Sequence, residues 1–199
     1  AQSIESPNRQ LNLTFHVDNG IPYYSLLYKG KIIIEKSRLG FEMKNIPSMV
    51  DNFSILKSST SAFDETWEPV WGEVKKIRNQ YNELEITLEQ GSPKRTVIIR
   101  FRLYDDGLGF RYEFPNQKNL SYFTIAEEIT QFNLGKDYTA FWIRGDYDTN
   151  EYNYTTSLLS EVSHQIDAAT EEISAQTPTK EISVQTPLML KGNGVYINI

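Results

Sequence analysis

Oxygen donors crowd into one short stretch of this 199-residue chain. Three carboxylates (Asp146, Asp148, Glu151) and two amides (Asn150, Asn153) fall within eight residues, interleaved with Tyr147 and Tyr152. Hard oxygen ligands at that density suit calcium, which takes about 6–8 of them. The spacing is not that of an EF-hand, and a polar loop between strands has the same composition. A second group, Thr66 to Glu73, sets Trp67 and Trp71 four residues apart around Pro69. Indoles on an irregular loop can stack on the apolar face of a sugar ring, or they can plug the end of a β-sandwich core. The core reading is preferred, with at least one of the two buried. Asp64, Glu65, Glu68 and Glu73 lie close by. Sequence neighbours rarely flank a glycosidic bond at the required separation, so no catalytic pair is assigned there.

Composition narrows the chemistry further. The chain has no cysteine and two histidines, His16 and His164. Thiolate zinc sites, cysteine nucleophiles and disulfides are therefore excluded, and histidine metal clusters are hard to assemble. A net charge of -6 disfavours nucleic acid as a partner. No apolar run approaches the roughly 20 residues of a membrane-spanning helix. Hydrophobic residues at 39% and aromatics at 13% supply a core. Ala1-Gln2 suits the residues that follow a signal-peptidase site.

The elements that must position these residues follow a period of two. Leu11, Leu13, Phe15 and Val17 alternate with polar partners, as a half-buried strand does. Lys29-Gly30 joins Pro22–Leu27 to Lys31–Glu35 as a hairpin. Further strands are expected at Leu39–Met43, weakly at Phe53–Leu56, around Leu84, Ile86 and Leu88, and at Val97–Leu103. Asp105-Asp106-Gly107 then turns the chain into Phe110, Tyr112 and Phe114. Shorter strands are expected at Tyr122–Ile125, Thr139–Ile143, Leu188–Leu190 and Val195–Ile199. Leu158, Leu159, Val162 and Ile166 are spaced by three to four, which suits a helix within Thr156–Glu172, and Ser174–Glu181 is expected to be an exposed loop. The fold class is thus all-β and mainly antiparallel. Val195–Ile199 has the character of a core strand, so the chain is expected to be a piece of a longer protein.

Several strings resemble the N-terminal domain of glycoside hydrolase family 97. They are Phe63 to Glu73, Ile77 to Leu84, Ile99 to Leu103, Asp106 to Pro115, Phe141-Trp142-Ile143, and Gly145 to Thr149. Ser6-Pro7 with Leu11–Val17 is similar too, so the resemblance covers about Ser6 to Ile199. It implies a β-super-sandwich, here residues 1–199 and truncated at its C-terminal end, that precedes a (β/α)₈ catalytic barrel and a small C-terminal β-sandwich. It also implies action on α-glycosides, calcium at the active site and a bacterial periplasmic location. Glu68 to Glu73 and Gly145 to Thr149 resemble the inverting α-glucosidase branch more than the retaining α-galactosidase branch. In that branch the Glu of an Asp-Tyr-Asp-Thr-x-Glu-Tyr string is a calcium ligand, which here is Glu151. Asp146, Asp148 and Asn150 either shape the site or stand behind the ligand without touching the metal. The acid and base belong to the barrel, so no catalytic residue is assigned to this chain. The implied partners are its own barrel and starch-derived α-linked glucoside oligosaccharides. A free-standing carbohydrate-binding or interaction sandwich is the alternative.

Overall fold

A computed structural model describes residues 1–146, 148–170, 183–192 and 194–199. They form two compact units, Ala1–Gly135 and Lys136–Ile199. The strands of both pair antiparallel, as the alternation predicts.

The first unit is a sandwich of two four-stranded sheets. One sheet holds β1 (Gln2–Glu5), β2 (Leu11–Asp18), β3 (Ile21–Tyr28) and β4 (Lys31–Arg38), in that order. Its turns are Asn19-Gly20 and Lys29-Gly30, and all four residues have positive φ. That conformation matches the twist of a two-residue hairpin. A short strand, β5 (Phe41–Met43), follows. The second sheet runs β6 (Phe53–Trp67), β7 (Ile77–Gln90), β8 (Arg95–Leu103) and β9 (Leu108–Glu113). β10 (Ile125–Glu128) pairs with β5.

The inner faces of the two sheets meet in an aromatic core. Phe15 on β2 and Tyr24 on β3 lie 6.0 and 6.1 Å from the ring of Phe101 on β8. Leu84, Ile86 and Leu88 on β7 are fully buried there beside Val97 and Ile99. The Tyr24 hydroxyl donates to the Gln131 carbonyl at 2.7 Å, so the polar end of a buried ring is satisfied. Arg95 is buried at the sandwich edge, where its Nη2 donates to the Ser48 carbonyl and Gln90 Nε2 to the Asp51 carbonyl. Together these two side chains fix the connection from β5 to β6.

The outer face of the second sheet carries charge. Glu83 accepts from Arg100 Nη1 at 2.5 Å and from Arg102 Nε at 2.6 Å. Arg100 also reaches Glu85 at 2.6 Å and Glu113 at 3.0 Å. Burial alone would raise the Glu83 carboxyl, but the two arginine hydrogen bonds outweigh it and hold it below its ordinary value.

The second unit is a four-stranded sheet in the order β12 (Thr155–Leu158), β11 (Thr139–Trp142), β13 (Met189–Gly192), β14 (Val195–Asn198). A 3₁₀ turn (Leu159–Glu161) leads into α1 (Val162–Thr170). Tyr138, Ala140, Trp142, Leu190, Val162 and Ile166 are buried.

Four expectations need correction. The strand expected at Tyr122–Ile125 begins only at Ile125 and runs to Glu128, where β5 offers a partner. The helix expected within Thr156–Glu172 begins only at Val162, because Thr155–Leu158 pairs along β11. The strand expected at Phe53–Leu56 continues to Trp67, since β7 offers a partner at every step beyond a bulge at Ile55–Lys57. The N-terminal strand β1 was not anticipated, and it is pinned residue by residue against β2. The exposed loop expected at Ser174–Glu181 lies outside the described residues.

Candidate functional site

The oxygen-rich segment is the connection between β11 and β12. β11 enters it from the interior of the second unit. Trp142 is buried there, and its Nε1 donates to Ser157 Oγ at 3.1 Å. The chain then runs beside Ser183–Gln185: the Gly145 amide donates to the Ser183 carbonyl at 2.7 Å and the Gln185 amide to the Ile143 carbonyl at 3.0 Å. A Cβ on Gly145 would stand 2.1 Å from Ser183 Oγ, so only glycine fits this approach.

Beyond Gly145 a three-residue clamp closes the loop. The Arg144 guanidinium lies over the Tyr152 ring at 4.0 Å and donates through Nη2 to the Tyr152 hydroxyl. That hydroxyl donates to Asp146 Oδ2 at 2.5 Å, while Asp146 Oδ1 accepts from the Asp148 amide at 2.8 Å. The Tyr152 hydroxyl, and after it the Asp148 amide, hold the Asp146 carboxyl below its ordinary value. Gln185 Nε2 donates to the Thr149 carbonyl at 2.7 Å, and Thr149 Oγ1 accepts from the Glu151 amide at 3.1 Å.

Glu151 sits in the middle of this frame. Its amide is bonded to Thr149 and the next residue, Tyr152, is anchored by its side chain to Asp146, while the Glu151 side chain is exposed. Its carboxylate accepts no hydrogen bond from the described residues. Asp146 is already occupied by Tyr152 and the Asp148 amide. Among the described residues no three His, Asp or Glu side chains converge as a metal site would require. The donor set therefore fits calcium through one hard ligand, Glu151, on a braced loop, and the described residues present no full cage. Arg144 and Tyr152 were not singled out from the sequence. The signal for Arg144 is a cation at the end of an apolar strand, Phe141-Trp142-Ile143-Arg144, and Tyr152 closes the same string that pointed to Glu151.

The tryptophan expectation fails. Trp67 is 47% exposed and Trp71 is 88% exposed. Neither plugs the core. β8 pairs with β7 only from Asn82 to Gln90, so beyond Asn82 the β6–β7 pair stands as a two-stranded ribbon. Phe63 stacks on Tyr81 at 5.2 Å along it, and Arg78 forks onto Asp64 at 2.8 and 2.6 Å. The tip, residues 68–76, carries Val70, Trp71 and Val74 into solvent. The four acids read as possible carboxylate partners lie along this ribbon and tip, with Asp64 held by Arg78 and Glu68 3.8 Å from Lys76. An open groove of about 780 Å³ between β1 and β6 is lined by hydroxyls and amides with a single carboxylate, Glu5. A two-carboxylate mechanism has no seat there.

The sequence matches the family described as glycosyl-hydrolase 97 N-terminal over residues 4–199. Among solved structures, the chain is similar to a glycoside hydrolase family 97 enzyme in complex with acarbose from Pseudoalteromonas sp. strain K8. The identity is 29% and the TM-score 0.84, over 99% of this chain and 28% of that one. A variant of the family 97 enzyme from the same strain, in complex with panose, matches at 30% identity and TM-score 0.82, again over 99% and 28%. A β-arabinopyranosidase shares the fold at 23% identity and TM-score 0.77, over 99% of this chain and 31% of that one. The chain thus spans under a third of the length of each of these proteins. With the family match running across almost all of its residues, the chain belongs to the glycosyl-hydrolase 97 N-terminal family.

Proposed function

We propose that this chain is the N-terminal β-sandwich region of a calcium-dependent, inverting α-glucosidase of the bacterial periplasm. The observation that carries the reading is the connection between β11 and β12, where the Glu151 amide is tied to Thr149 Oγ1 and its carboxylate accepts no hydrogen bond from the described residues. The proteins from Pseudoalteromonas bound to acarbose and panose support an α-linked oligosaccharide as substrate. In this reading the catalytic barrel supplies one carboxyl that protonates the leaving oxygen and a second that activates water, with inversion at the anomeric carbon. This chain packs on the barrel and lends it the loop. Calcium, when bound, positions sugar oxygens and stabilises charge that develops during bond cleavage. Glu151 supplies one ligand, and Arg144, Asp146 and Tyr152 hold the loop that presents it.

Glu151→Gln in the intact enzyme tests the assignment, because it keeps size and removes charge. The expected result is a raised calcium requirement and a lower kcat/KM, with the stability of the sandwich changed by less than about 1 kcal/mol in calcium-free buffer. A calcium titration superimposable on wild type would remove Glu151 from the site. The 199-residue chain alone is expected not to hydrolyse a nitrophenyl α-glucoside above background.

The exposed Trp67 and Trp71 favour one second reading, a carbohydrate-binding sandwich without catalysis. Saturable quenching of tryptophan fluorescence by maltooligosaccharides, abolished by Trp71→Ala, would support it.

A further inference from the structure

The β6–β7 hairpin continues well past the sandwich it grows from. Its last five residue pairs, Phe63↔Tyr81 to Trp67↔Ile77, have no third strand beside β7. A bare two-stranded ribbon in water is marginal. This one ends in the largest apolar side chains it could present: Trp67, Val70, Trp71, Val74 and Ile77 are all exposed, and Val70 is fully so. Apolar side chains gathered at one projecting tip mark an interaction surface, whereas single scattered ones do not.

The charged groups around the tip decide what kind of partner fits. Arg78 is engaged by Asp64 through two hydrogen bonds, and Lys76 lies 3.8 Å from Glu68. Glu73 and Lys75 stay exposed beside them, so the tip has an apolar centre and a rim of mixed charge. A sugar platform sets hydrogen-bonding groups around a stacking ring, whereas here the indoles share the tip with the aliphatic Val70, Val74 and Ile77. An apolar centre dominated by tryptophan, with a charged rim, is the anatomy of a protein interface. The solved relatives match this chain over 99% of its length, tip included, yet carry more than twice as much polypeptide again. The family is defined as an N-terminal one, so that remainder is downstream.

We propose that the tip of the β6–β7 hairpin, residues 67–77, docks on the downstream polypeptide of the same enzyme, with Val70 and Trp71 as its anchors. This rests on the reading above that the chain is one region of a larger glycosidase. Docking also accounts for the long ribbon: an arm that carries its apolar groups clear of its own sheet can reach a second folded surface, which then supports it.

The test uses the full-length enzyme with the photocrosslinker p-benzoylphenylalanine placed at Val70. After irradiation, mass mapping is expected to find an intramolecular link to peptides beyond residue 199. Three results would overturn the proposal: a crosslinked dimer, which assigns the tip to a second copy; a sugar adduct formed in maltoheptaose, which assigns it to carbohydrate; and no link at all, which leaves the tip in water. A second measurement places the probe at Val74 and adds Val70→Asp. A charge pressed into an apolar interface should lower crosslink yield about tenfold or more while the circular dichroism spectrum is unchanged. An unchanged yield counts against docking. Hydrolysis of an α-glucoside by the same unmodified preparation separates the two ideas. Activity with an unlinked tip defeats docking alone, and inactivity with an intramolecular link defeats the glucosidase reading alone.

Discussion

One hairpin, β6–β7, has a root and a tip of opposite character. At the root, Leu84, Ile86 and Leu88 are buried, and β7 is paired on both sides by β6 and β8. At the tip the same two strands keep their register, but Trp67, Val70 and Trp71 face water. The root pairs because it buries apolar surface. The tip pairs because cross-strand contacts, the Phe63–Tyr81 stack and the Arg78–Asp64 fork, extend an existing ladder. The contrast separates two uses of hydrophobicity: at the root it is consumed in folding, and at the tip it stays available for association.

Substitutions should reproduce that gradient. The largest effect is expected at the root, where Leu88→Ala should destabilise the chain by about 2–5 kcal/mol in urea titrations. An intermediate effect is expected at Glu83, buried on the outer face of the same strand. Glu83→Ala should cost about 1–2 kcal/mol, discounted because Arg102 is partly solvated. The sign of its pH dependence follows from its lowered pKa. The stability it contributes is present above the unfolded carboxylate value of about 4.5 and is lost as pH falls through the lower folded value. Unfolding midpoints measured downward from pH 5 should therefore fall less steeply in Glu83→Gln than in the parent chain. The smallest effect is expected at the tip, where Trp71→Ala should change stability by less than about 0.5 kcal/mol. A loss as large as that of Leu88→Ala would erase the distinction between root and tip. Acrylamide quenching of single-tryptophan variants of this chain sharpens it, with Trp71 quenched most readily and the buried Trp142 least.

Much of the root was legible in the sequence because burial writes itself as alternation. Leu84, Ile86 and Leu88, or Val97 to Leu103, can satisfy a two-sided strand in one register only. The β6 half of the hairpin and the tip it leads to were not legible. Lys57 to Thr66 is rich in serine and threonine with no apolar period, and it is a strand because β7 lies alongside. The indoles were expected inside on the general tendency of large aromatics to be buried, which a projecting ribbon overrides. In the oxygen-rich loop, residue types alone pointed to the segment, and the resemblance pointed to Glu151. The clamp was hidden because Arg144 and Tyr152 meet across eight positions, a distance set by a turn with no local sequence code.

The outer edge of β6 has a further consequence, for solubility. β6 lies at the end of its sheet, so beyond Phe53, whose amide donates to the Gly20 carbonyl, its outer side has no strand partner among the described residues and offers amides and carbonyls to any other extended chain. Long open edges of this kind template aggregation unless something blunts them. Here the blunting is compositional: Ser58, Ser59, Thr60 and Ser61 are hydrophilic, and Asp64-Glu65 places two acids in succession near the far end. A chain adding along the Ser58–Ser61 run would have to desolvate hydroxyls with little apolar surface gained in return there. Replacing the serine–threonine run by valine and isoleucine would improve intrinsic strand propensity and, by the same change, turn a harmless margin into an adhesive one.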